Sequence, residues 1–575
     1  MRLHVALLCF AFAMPALSPA AALAAPASRT LVASHAVPAQ TSAASRPAWR
    51  ALFANLRAGR YDAAATALST LPDAPLTAFA QAELLVARGA APGIVDVPAF
   101  VAAHSDLPQA AHIASRFHLD GVVAPHISDL FQVASDAPRS RTHQRDVALE
   151  GALRPLVTAE RASDAEAGWT RLSRNASDDA REDWAHQIAW SYYRGGDDAG
   201  ARRMGLVAAG GSSEHAASGA WVAGLSAWRA DDCTASAAAF DTVAAKSPSD
   251  DLAAASAYWA SRAYLACNRP NLVTERLTTA AAHPHSFYGL LARRALGLDS
   301  GIDWSEPDFI KADWNYLATL PGARRAVAMV EVGQLGLADR ELRHLATTAE
   351  PQAYPAILRL AARLSLPATQ LWLSSRSRDG AETPLSARFP APDWTPPRGW
   401  RVDQALVYAH ALQESRFATD VVSRAGARGL LQLMPATAAK VARDMGTGGA
   451  LNDPAFNIEC GQTYMEELRD TSYTAGLLPK VIAAYNAGPG SVEKWNASVR
   501  DNGDPLLFIE SIPFKETRAY VQTVLRNYWM YELRDGRQPT SMAALAQGLW
   551  PKFPGMPGPV AVRMDRTAAV MTAAP

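Results

Sequence analysis

Glu414, in the stretch ALQESRFATD at residues 411–420, is a carboxylate inside a run of apolar and small residues. The surrounding segment, VDQALVYAHALQESRF, has the pattern of one helix that Asp403 can cap, which predicts Glu414 near the C-terminal end of that helix. The negative end of a helix dipole disfavours an ionised carboxylate, and burial acts in the same direction. Both effects raise the pKa, as a general acid at neutral pH requires, whereas the alternative is a solvated surface glutamate.

A glycine-containing loop follows this helix. Residues 423–435, SRAGARGLLQLMP, begin with a Gly/Ala segment that lets the backbone approach a ligand closely. They then place Gln432 and Met434 at the head of a helix predicted for residues 430–445, which contains Pro435. Gln432 is a candidate ligand contact, while a methionine at such a position is more often part of a core.

Two further motifs carry polar and aromatic groups. Residues 483–490, AAYNAGPG, place Tyr485 and Asn486 before a rigid turn. An aromatic ring and an amide suit a sugar face and its hydroxyls, although a buried tyrosine in a hairpin gives the same pattern.

The last motif, IPFKETRAYV at residues 512–521, offers Glu516 and Tyr520 one helical turn apart. The alternative for Glu516 is a structural role, either at the positive end of the helix dipole or in a salt bridge to Arg518.

Bulk composition excludes several function classes. Lys+Arg and Asp+Glu are balanced at 55 each, so no net field favours nucleic acid or an anionic membrane. The 13 histidines show no metal-ligand spacing such as H-E-x-x-H, and the sequence predicts neither a metal nor another cofactor.

The first 25 residues have the pattern of a secretory signal. A basic residue, an apolar stretch and an A-x-A site follow one another there, and the stretch is too short for a membrane span. The sequence therefore predicts an exported protein without an integral membrane span. Residues 26–46, rich in Ala, Ser and Pro, are expected to be a flexible lead-in.

The N-terminal half consists of Ala-rich helical hairpins. Clear units lie at residues 183–211 and 221–251, and their period is close to that of helical repeats of about 34 residues. Cys233 and Cys267 occupy the same turn of consecutive units, which predicts a disulfide between them; the alternative is two reduced, buried cysteines. The fold class is therefore mainly α, with an α-solenoid followed by smaller helical domains.

Breaks in the helical pattern suggest the domain boundaries. Proline and glycine residues interrupt residues 388–400, and the last residues of the chain lack periodicity. The expected parts are a signal (1–25), a lead-in (26–46), a superhelical domain (47–300), a helical linker domain (305–384), a Pro-rich linker (388–400), a C-terminal helical domain (400–545) and a flexible tail (551–575).

Taken in order, the motifs ESRF, GARGLLQLMPATA, AYNAGPG and ETRAYV resemble the catalytic domain of the soluble lytic transglycosylases, which share the goose-type lysozyme fold. The resemblance covers about residues 400–535. The repeats upstream, with SFYGLLARRALG at 286–297, resemble the ring-shaped superhelical domain of the large soluble form, and 305–384 resembles its linker domain.

This resemblance implies cleavage of the β-1,4 bond between N-acetylmuramic acid and N-acetylglucosamine in the glycan strands of peptidoglycan, in the periplasm. It implies that Glu414 alone protonates the glycosidic oxygen and then, as a carboxylate, takes the proton of the muramic acid C6 hydroxyl, which closes on C1 to give a 1,6-anhydro ring. The N-acetyl carbonyl of the substrate stabilises the cation in between. Such substrate-assisted cleavage is an exception to the use of two carboxylates.

The resemblance also assigns roles to the other motif residues. Ser423 would hold the N-acetyl group, and Glu516 and Tyr520 would lie near the cleavage subsites. The residues expected to line the glycan groove are Gln432, Met434, Tyr485 and Asn486. The sequence departs from the family pattern at Leu431, where Met is usual, and at Ala418-Thr419, where Asn-Pro is frequent.

Two alternatives remain open from the sequence. A muramidase on the same fold would use water and a second carboxylate, for which Asp420 is the nearby candidate, although Asp420 also fits a loop or cap residue. A non-catalytic peptidoglycan-binding scaffold would instead use the solenoid as its working part.

Overall fold

Helices make up nearly all of the regular structure in this computed structural model of the 575-residue chain. The structure describes residues 37–119, 141–247, 249–305, 308–376, 383–446 and 448–564. Within these ranges lie 27 α-helices and one sheet of two short strands, which confirms the predicted mainly α fold. The predicted signal, 1–25, lies outside the described residues. In the described ranges, no helix has both the length and the apolar character required to cross a membrane.

The first five helices are short and follow closely on one another. They are α1 (Arg46–Arg57), α2 (Tyr61–Thr70), α3 (Thr77–Arg88), α4 (Val97–Ala103) and α5 (Ala110–Arg116). The segment before α1 is held in place, since the backbone N–H groups of Gln40 and Thr41 donate to the carboxylate of Glu331 at 2.9 and 2.8 Å. The expectation of a flexible lead-in through residue 46 is therefore wrong for this part, because a distant carboxylate satisfies its backbone donors.

Nine helices form the hairpin repeats. They are α6 (Arg141–Thr158), α7 (Ala162–Leu172), α8 (Asp178–Arg194), α9 (Asp198–Ala209), α10 (His215–Arg229), α11 (Cys233–Lys246), α12 (Asp250–Ala266), α13 (Pro270–Ala281) and α14 (Phe287–Ala295). The pairs α8/α9, α10/α11 and α12/α13 are each joined by a three-residue turn, as the repeat pattern predicts. Small residues let these helices approach closely: a Cβ at Gly219 would lie 2.7 Å from the carbonyl oxygen of Gly205.

A disulfide joins two equivalent turns of these hairpins. Cys233 begins α11, Cys267 follows α12, and their Cα atoms lie 5.6 Å apart. The disulfide therefore joins consecutive repeats at the two equivalent turns, between the cysteines that the sequence predicts.

A second helical group follows the repeats. Its members are α15 (Lys311–Leu317), α16 (Pro321–Glu331), α17 (Leu335–Thr348), α18 (Tyr354–Arg363) and α19 (Pro367–Ser374). These helices share one hydrophobic core with α1–α5, whereas α6–α14 share another with the C-terminal helices. The division of the cores therefore differs from the expected superhelical domain 47–300, because periodicity identifies the apolar face of a helix but not the helix that covers it.

The C-terminal part contains eight helices and the sheet. The elements are α20 (Gln404–Glu414), α21 (Pro435–Met445), α22 (Pro454–Arg469), α23 (Leu478–Ala487), α24 (Pro489–Ser498), α25 (Pro505–Ser511), α26 (Lys515–Arg534), α27 (Thr540–Ala546), β1 (Trp550–Pro551) and β2 (Ala561–Val562). Trp550 and Phe553 are buried, and β1 pairs antiparallel with β2. The prediction of a flexible tail from 551 is therefore wrong up to residue 564, since aromatic burial and strand pairing fix that segment; residues 565–575 lie outside the described residues.

The Pro-rich segment 388–400 begins at the last residue of a short 3₁₀ helix, Leu385–Arg388, and is non-helical after it. The segment packs against the C-terminal helices. Tyr531 donates its hydroxyl to the carbonyl of Pro390 at 3.0 Å, and Tyr408 donates to that of Pro392. Proline carbonyls thus satisfy two buried hydroxyl groups, and this contact fixes the entry to α20.

Candidate active site

Glu414 is the last residue of α20. The carboxylate of Asp403 accepts a hydrogen bond from the N–H of Ala405 at 2.9 Å and caps the start of this helix. The helix ends three residues earlier than the sequence pattern predicts, because Arg416 and Phe417 adopt positive φ angles of 51° and 64°.

Such left-handed residues are costly for side chains with a Cβ, and packing must support them. Phe417 is only 1% exposed and its ring contacts those of Trp394 and Tyr408. Burial of this ring therefore stabilises the turn that leaves Glu414 at the helix terminus.

The carboxyl group of Glu414 is held in a largely dehydrated position. Burial is the main cause that raises its pKa to about 7. A hydrogen bond of 2.6 Å from the hydroxyl of Tyr520 to Oε1 opposes this shift, and the negative charge of Glu516 adds to it. Near neutral pH the group can therefore both give up and accept a proton.

Tyr520 lies on α26 and is 4% exposed. Burial and the nearby Glu414 carboxylate raise its pKa well above the usual value, so the phenol stays neutral and acts as a hydrogen-bond donor. Glu516, one turn earlier on the same helix, is exposed.

The loop between α20 and α21 is folded back on itself by isolated bridges. Arg428 pairs with both Val422 and Leu433. The Oγ of Ser423 accepts a hydrogen bond from the N–H of Ala427 at 3.0 Å, which closes the tip of the loop. Ser423 is half-buried there.

The predicted helix from residue 430 begins only at Pro435. Gln432 has a φ of 46°, and its side-chain amide donates to the carbonyl of Gly429 at 2.8 Å. The pairing of Arg428 with Leu433 replaces the first helical turn that the pattern predicts. Met434 precedes α21 and is 45% exposed, which leaves its thioether available for contact rather than in the core.

Tyr485 and Asn486 connect this loop to α26. The hydroxyl of Tyr485 donates to the carbonyl of Leu431 at 2.8 Å, and Oδ1 of Asn486 accepts from the hydroxyl of Thr517 at 2.6 Å. Glu414 is among the causes that raise the pKa of Tyr485 well above its usual value, after burial. Glu414, Tyr485 and Tyr520 therefore form one group.

Two residues of this site were not singled out by the sequence analysis. His410, one turn before Glu414 on α20, is 1% exposed, and its ring centroid lies 4.8 Å from that of Tyr485 and 6.1 Å from that of Tyr520. Burial lowers its pKa to about 4, which keeps the imidazole neutral. Its position four residues before Glu414 was the signal that could have identified it.

Asn457, on α22, anchors the loop from behind. Its Oδ1 accepts from the N–H of Leu431 at 3.0 Å, and its Nδ2 donates to the carbonyls of Arg428 and Leu451 at 3.1 and 2.8 Å. Nothing in the local sequence identifies this residue.

Asp420, the candidate second acid, is exposed and points to another part of the molecule. A Cβ at Gly336, on α17, would lie 2.8 Å from Oδ2 of Asp420. Its charge contributes to the pKa of Asp339, on the same helix, whereas Glu516 is the acid that acts on Glu414.

The superhelical helices bring together one group with the donor types of a metal site, although the sequence shows no such spacing. Ligand atoms of Asp183, His186 and His215 lie within 4.8 Å of one another. His215 also lies within ion-pair distance of Asp179 and Asp183, at 3.6 and 3.4 Å, and burial lowers the pKa of His186 to about 3.

Comparison with known proteins relates part of the chain to one family. The model of the transglycosylase SLT domain matches residues 397–508. The soluble lytic murein transglycosylase of Escherichia coli K12 is 37% identical over 155 residues, which are 26% of this chain and 24% of that protein. A putative soluble lytic murein transglycosylase of Haemophilus influenzae is 36% identical over 143 residues, 24% of this chain and 23% of that protein. The chain thus spans about a quarter of the length of these curated relatives in sequence.

Solved structures extend the likeness to most of the chain. The 70-kDa soluble lytic transglycosylase in complex with bulgecin A has a TM-score of 0.63 at 19% identity, covering 89% of this chain and 99% of that one. An inactive mutant of lytic transglycosylase Slt from Pseudomonas aeruginosa has a TM-score of 0.53 at 24% identity, covering 86% and 73%. The predicted resemblance to the soluble lytic murein transglycosylases is therefore confirmed, in sequence over the SLT domain and in fold over most of the chain.

Proposed function

We propose that this protein is a lytic transglycosylase, a lyase that cleaves the β-1,4 bond between N-acetylmuramic acid and N-acetylglucosamine in peptidoglycan and leaves 1,6-anhydromuramic ends. The observation that carries the proposal is the state of Glu414: a half-buried carboxyl with a pKa of about 7, held by Tyr520. A group with this pKa is matched to proton transfer in both directions near neutral pH.

In the first step the protonated Glu414 donates its proton to the glycosidic oxygen while the bond to C1 breaks. The hydrogen bond from Tyr520 strengthens as the carboxylate forms, because a charged acceptor binds a donor more tightly than a neutral one. In the second step the carboxylate removes the proton of the C6 hydroxyl, whose oxygen closes on C1. Glu414 thereby regains its proton, and the reaction consumes no water.

The remaining motif residues form the proposed groove. Ser423 is assigned to the N-acetyl group of the substrate, and Gln432 and Met434 to one wall of the groove. Tyr485 and Asn486 are also assigned to the lining of the groove. The bond from Tyr485 to the carbonyl of Leu431 supports this arrangement, because it holds Tyr485 against the loop that carries Gln432 and Met434.

The main competing reaction is hydrolysis, as in a muramidase. It needs a second carboxylate to activate water or stabilise the cation. Asp420 lies against Gly336 of α17, and the acid that acts electrostatically on Glu414 is the exposed Glu516. These positions favour the mechanism with a single carboxyl.

Product mass distinguishes the two reactions. Purified peptidoglycan is digested and the released muropeptides are analysed by mass spectrometry, where anhydro ends are lighter than reducing ends by one water. Anhydro products are expected from the wild type and from Asp420→Asn, and no release from Glu414→Gln. A majority of reducing ends indicates a muramidase, and no release by the wild type indicates a non-catalytic scaffold.

The proposal includes an exported, periplasmic location, since the substrate lies there and residues 1–25 have the pattern of a signal. Fusion of residues 1–46 to a reporter enzyme that folds only outside the cytoplasm tests this. An active reporter is expected, and an inactive one would place the protein in the cytoplasm.

A further inference from the structure

Two aspartates and two histidines meet where α8 passes the start of α10. Asp179, Asp183 and His186 are spaced so that they share one face of α8, and His215 is the first residue of α10. Ligand atoms of Asp183, His186 and His215 lie within 4.8 Å of one another. In the part of the chain that the structure describes, this is the one group of three such side chains that lies so close together.

The distances in this group fit a tetrahedral metal ion. Nδ1 of His215 lies 3.4 Å from Oδ1 of Asp183. Two ligands that each lie about 2.1 Å from a zinc ion are about 3.4 Å apart at the tetrahedral angle. The other oxygen of Asp183, Oδ2, accepts a hydrogen bond from Nε2 of Gln187 at 2.8 Å, which fixes the carboxylate with Oδ1 beside His215.

The second nitrogen of His215 faces another acid. Its Nε2 lies 3.6 Å from Oδ1 of Asp179, which is exposed in the first turn of α8, so a small rotation of that side chain closes the distance to a hydrogen bond. Histidines that bind a metal through one nitrogen usually donate the other N–H to a carboxylate, which fixes the ring and makes it a stronger ligand. Asp179 therefore has the place of a positioning residue, and Asp183 that of a ligand.

His186 offers the third ligand. Its Nδ1 is buried and has no hydrogen-bond partner among the described residues. An unpaired buried nitrogen costs free energy, and a metal ion is a partner that an imidazole nitrogen can take. Burial also lowers the pKa of His186 to about 3, so the ring is neutral, as a ligand must be.

We infer that Asp183, His186 and His215 bind a zinc ion, or a transition-metal dication of the same class, with Asp179 as the hydrogen-bond partner of His215. Histidine ligands favour such ions over calcium and magnesium, which prefer oxygen. The two carboxylates carry the negative charge that matches a dication. The inference is independent of the proposed function, since none of these residues belongs to the groove assigned around Glu414.

Positive charges near the group limit the affinity. Lys515 and Arg518, both on α26, act on His186 by like charge, as does His215. The group also offers three protein ligands, whereas closed structural zinc sites have four. We therefore expect a Kd on the order of 1 μM, weaker than that of such closed sites.

A metal ion at this place links two consecutive hairpins, α8/α9 and α10/α11. The disulfide between Cys233 and Cys267 joins α10/α11 to the next hairpin, α12/α13, in the same way. The segment before His215 is already held against α8, because the carboxylate of Glu182 accepts a hydrogen bond from the N–H of Ser213 at 2.8 Å. Binding thus needs little rearrangement, and the ion should stabilise the stack of hairpins.

Titration of the full chain with zinc, after treatment with EDTA and without a histidine tag, tests the inference. Isothermal titration with ZnCl2 is expected to show one site per chain, and zinc in excess should raise the unfolding temperature by about 2–4 °C. CaCl2 and MgCl2 at the same concentrations should do neither. His186→Gln and His215→Gln should each weaken zinc binding by more than about a hundredfold, and Asp179→Asn by about tenfold, as for a residue that only orients a ligand.

The matched control is His283→Gln. His283 lies 3.7 Å from Asp250, also in the superhelical helices, but the pair belongs to no group of three among the described residues. This variant should bind zinc as the wild type does. Unfolding temperatures measured in EDTA show whether each variant is folded, and His215→Gln decides if His186→Gln is not, because His215 is partly exposed.

Two results overturn the inference. One is no zinc binding by the EDTA-treated wild type. The other is wild-type affinity for zinc in His215→Gln, which would show an adventitious ion only. Equal binding of calcium and zinc would likewise contradict a site with histidine ligands.

Discussion

The hydroxyl of Tyr520 donates a 2.6 Å hydrogen bond to Oε1 of Glu414, across a sequence separation of 106 residues. It joins the end of α20 to the first turns of α26. This bond is the direct contact by which the fold stabilises the carboxylate form of Glu414, against a burial that favours the protonated form. The balance between them sets a pKa of about 7.

Replacing Tyr520 by Phe should lower kcat and move the pH profile upward. A hydrogen bond to a charged group contributes about 1.5–3 kcal/mol, so we expect a loss of roughly tenfold to a hundredfold in kcat. Because the removed donor favours the ionised form, the pKa of Glu414 rises and the alkaline fall in activity shifts to higher pH. Turnover of soluble glycan strands, measured between pH 5 and about 9, gives both kcat and the pH at which activity falls.

The control for this variant is Tyr264→Phe, since Tyr264 makes a similar bond of 2.5 Å to Asp241 in the superhelical part. It should leave the pH profile unchanged. A Tyr520→Phe enzyme with reduced kcat but an unshifted profile would mean that the hydroxyl acts on the substrate rather than on Glu414.

Glu414→Gln should stabilise the folded protein at alkaline pH. The native carboxyl keeps its proton up to about pH 7, while in the unfolded chain it ionises near its ordinary value of 4.5, so the native state loses stability as pH rises across this interval. The variant lacks this loss, so its free energy of unfolding should exceed that of the wild type by up to roughly 3 kcal/mol at pH 8. This difference should disappear toward pH 4.5. Urea unfolding at several pH values measures it, and a variant less stable than the wild type at pH 8 would contradict the assigned pKa.

The sequence predicted the place of Glu414 in its helix better than the geometry that holds it there. Glu414 and its position at a helix terminus followed from local pattern. The left-handed turn at Arg416 and Phe417 did not, because it depends on contacts with Trp394 and Tyr408. The order of motifs does not show that Tyr520 faces Glu414, since that depends on how α26 packs against α20.

Contacts between residues distant in sequence also explain why two flanking segments were wrongly predicted to be flexible. Thr41 and Phe553 lie in stretches whose composition is typical of flexible chain, yet each is buried by residues distant in sequence. Composition reports local preference, while a carboxylate such as Glu331 or a neighbouring strand decides whether a short segment is fixed.

Glu516→Gln should shift the pH profile in the direction opposite to Tyr520→Phe. Glu516 raises the pKa of Glu414 through like charge, so its neutralisation lowers that pKa and the alkaline fall in activity begins at lower pH. Because Glu516 is exposed, high salt should reduce the difference between wild type and variant, since the Debye length falls to about 3 Å at 1 M. A salt-independent shift, or a change from anhydro to other products, would show a direct role for Glu516 in the chemistry.

Asn457→Ala should disturb the loop that carries Gln432 without touching the substrate. The side chain is fully buried and makes three hydrogen bonds to the backbone of this region, at Arg428, Leu431 and Leu451. Its removal leaves buried backbone groups unsatisfied, at a cost of roughly 2–4 kcal/mol in the free energy of unfolding.

Because Asn457→Ala should displace the loop, its kinetics should differ from those of a variant that is merely less stable. Asn496→Ala, the control, removes bonds to Lys480 and to the carbonyl of Tyr473 outside the loop. Assayed well below both unfolding temperatures, Asn457→Ala should raise KM and lower kcat because the loop bears the groove and the backbone contact of Tyr485, whereas Asn496→Ala should keep wild-type values. Equal kinetics for the two variants would show that bridges within the loop, such as Arg428 to Leu433, position Gln432 without Asn457.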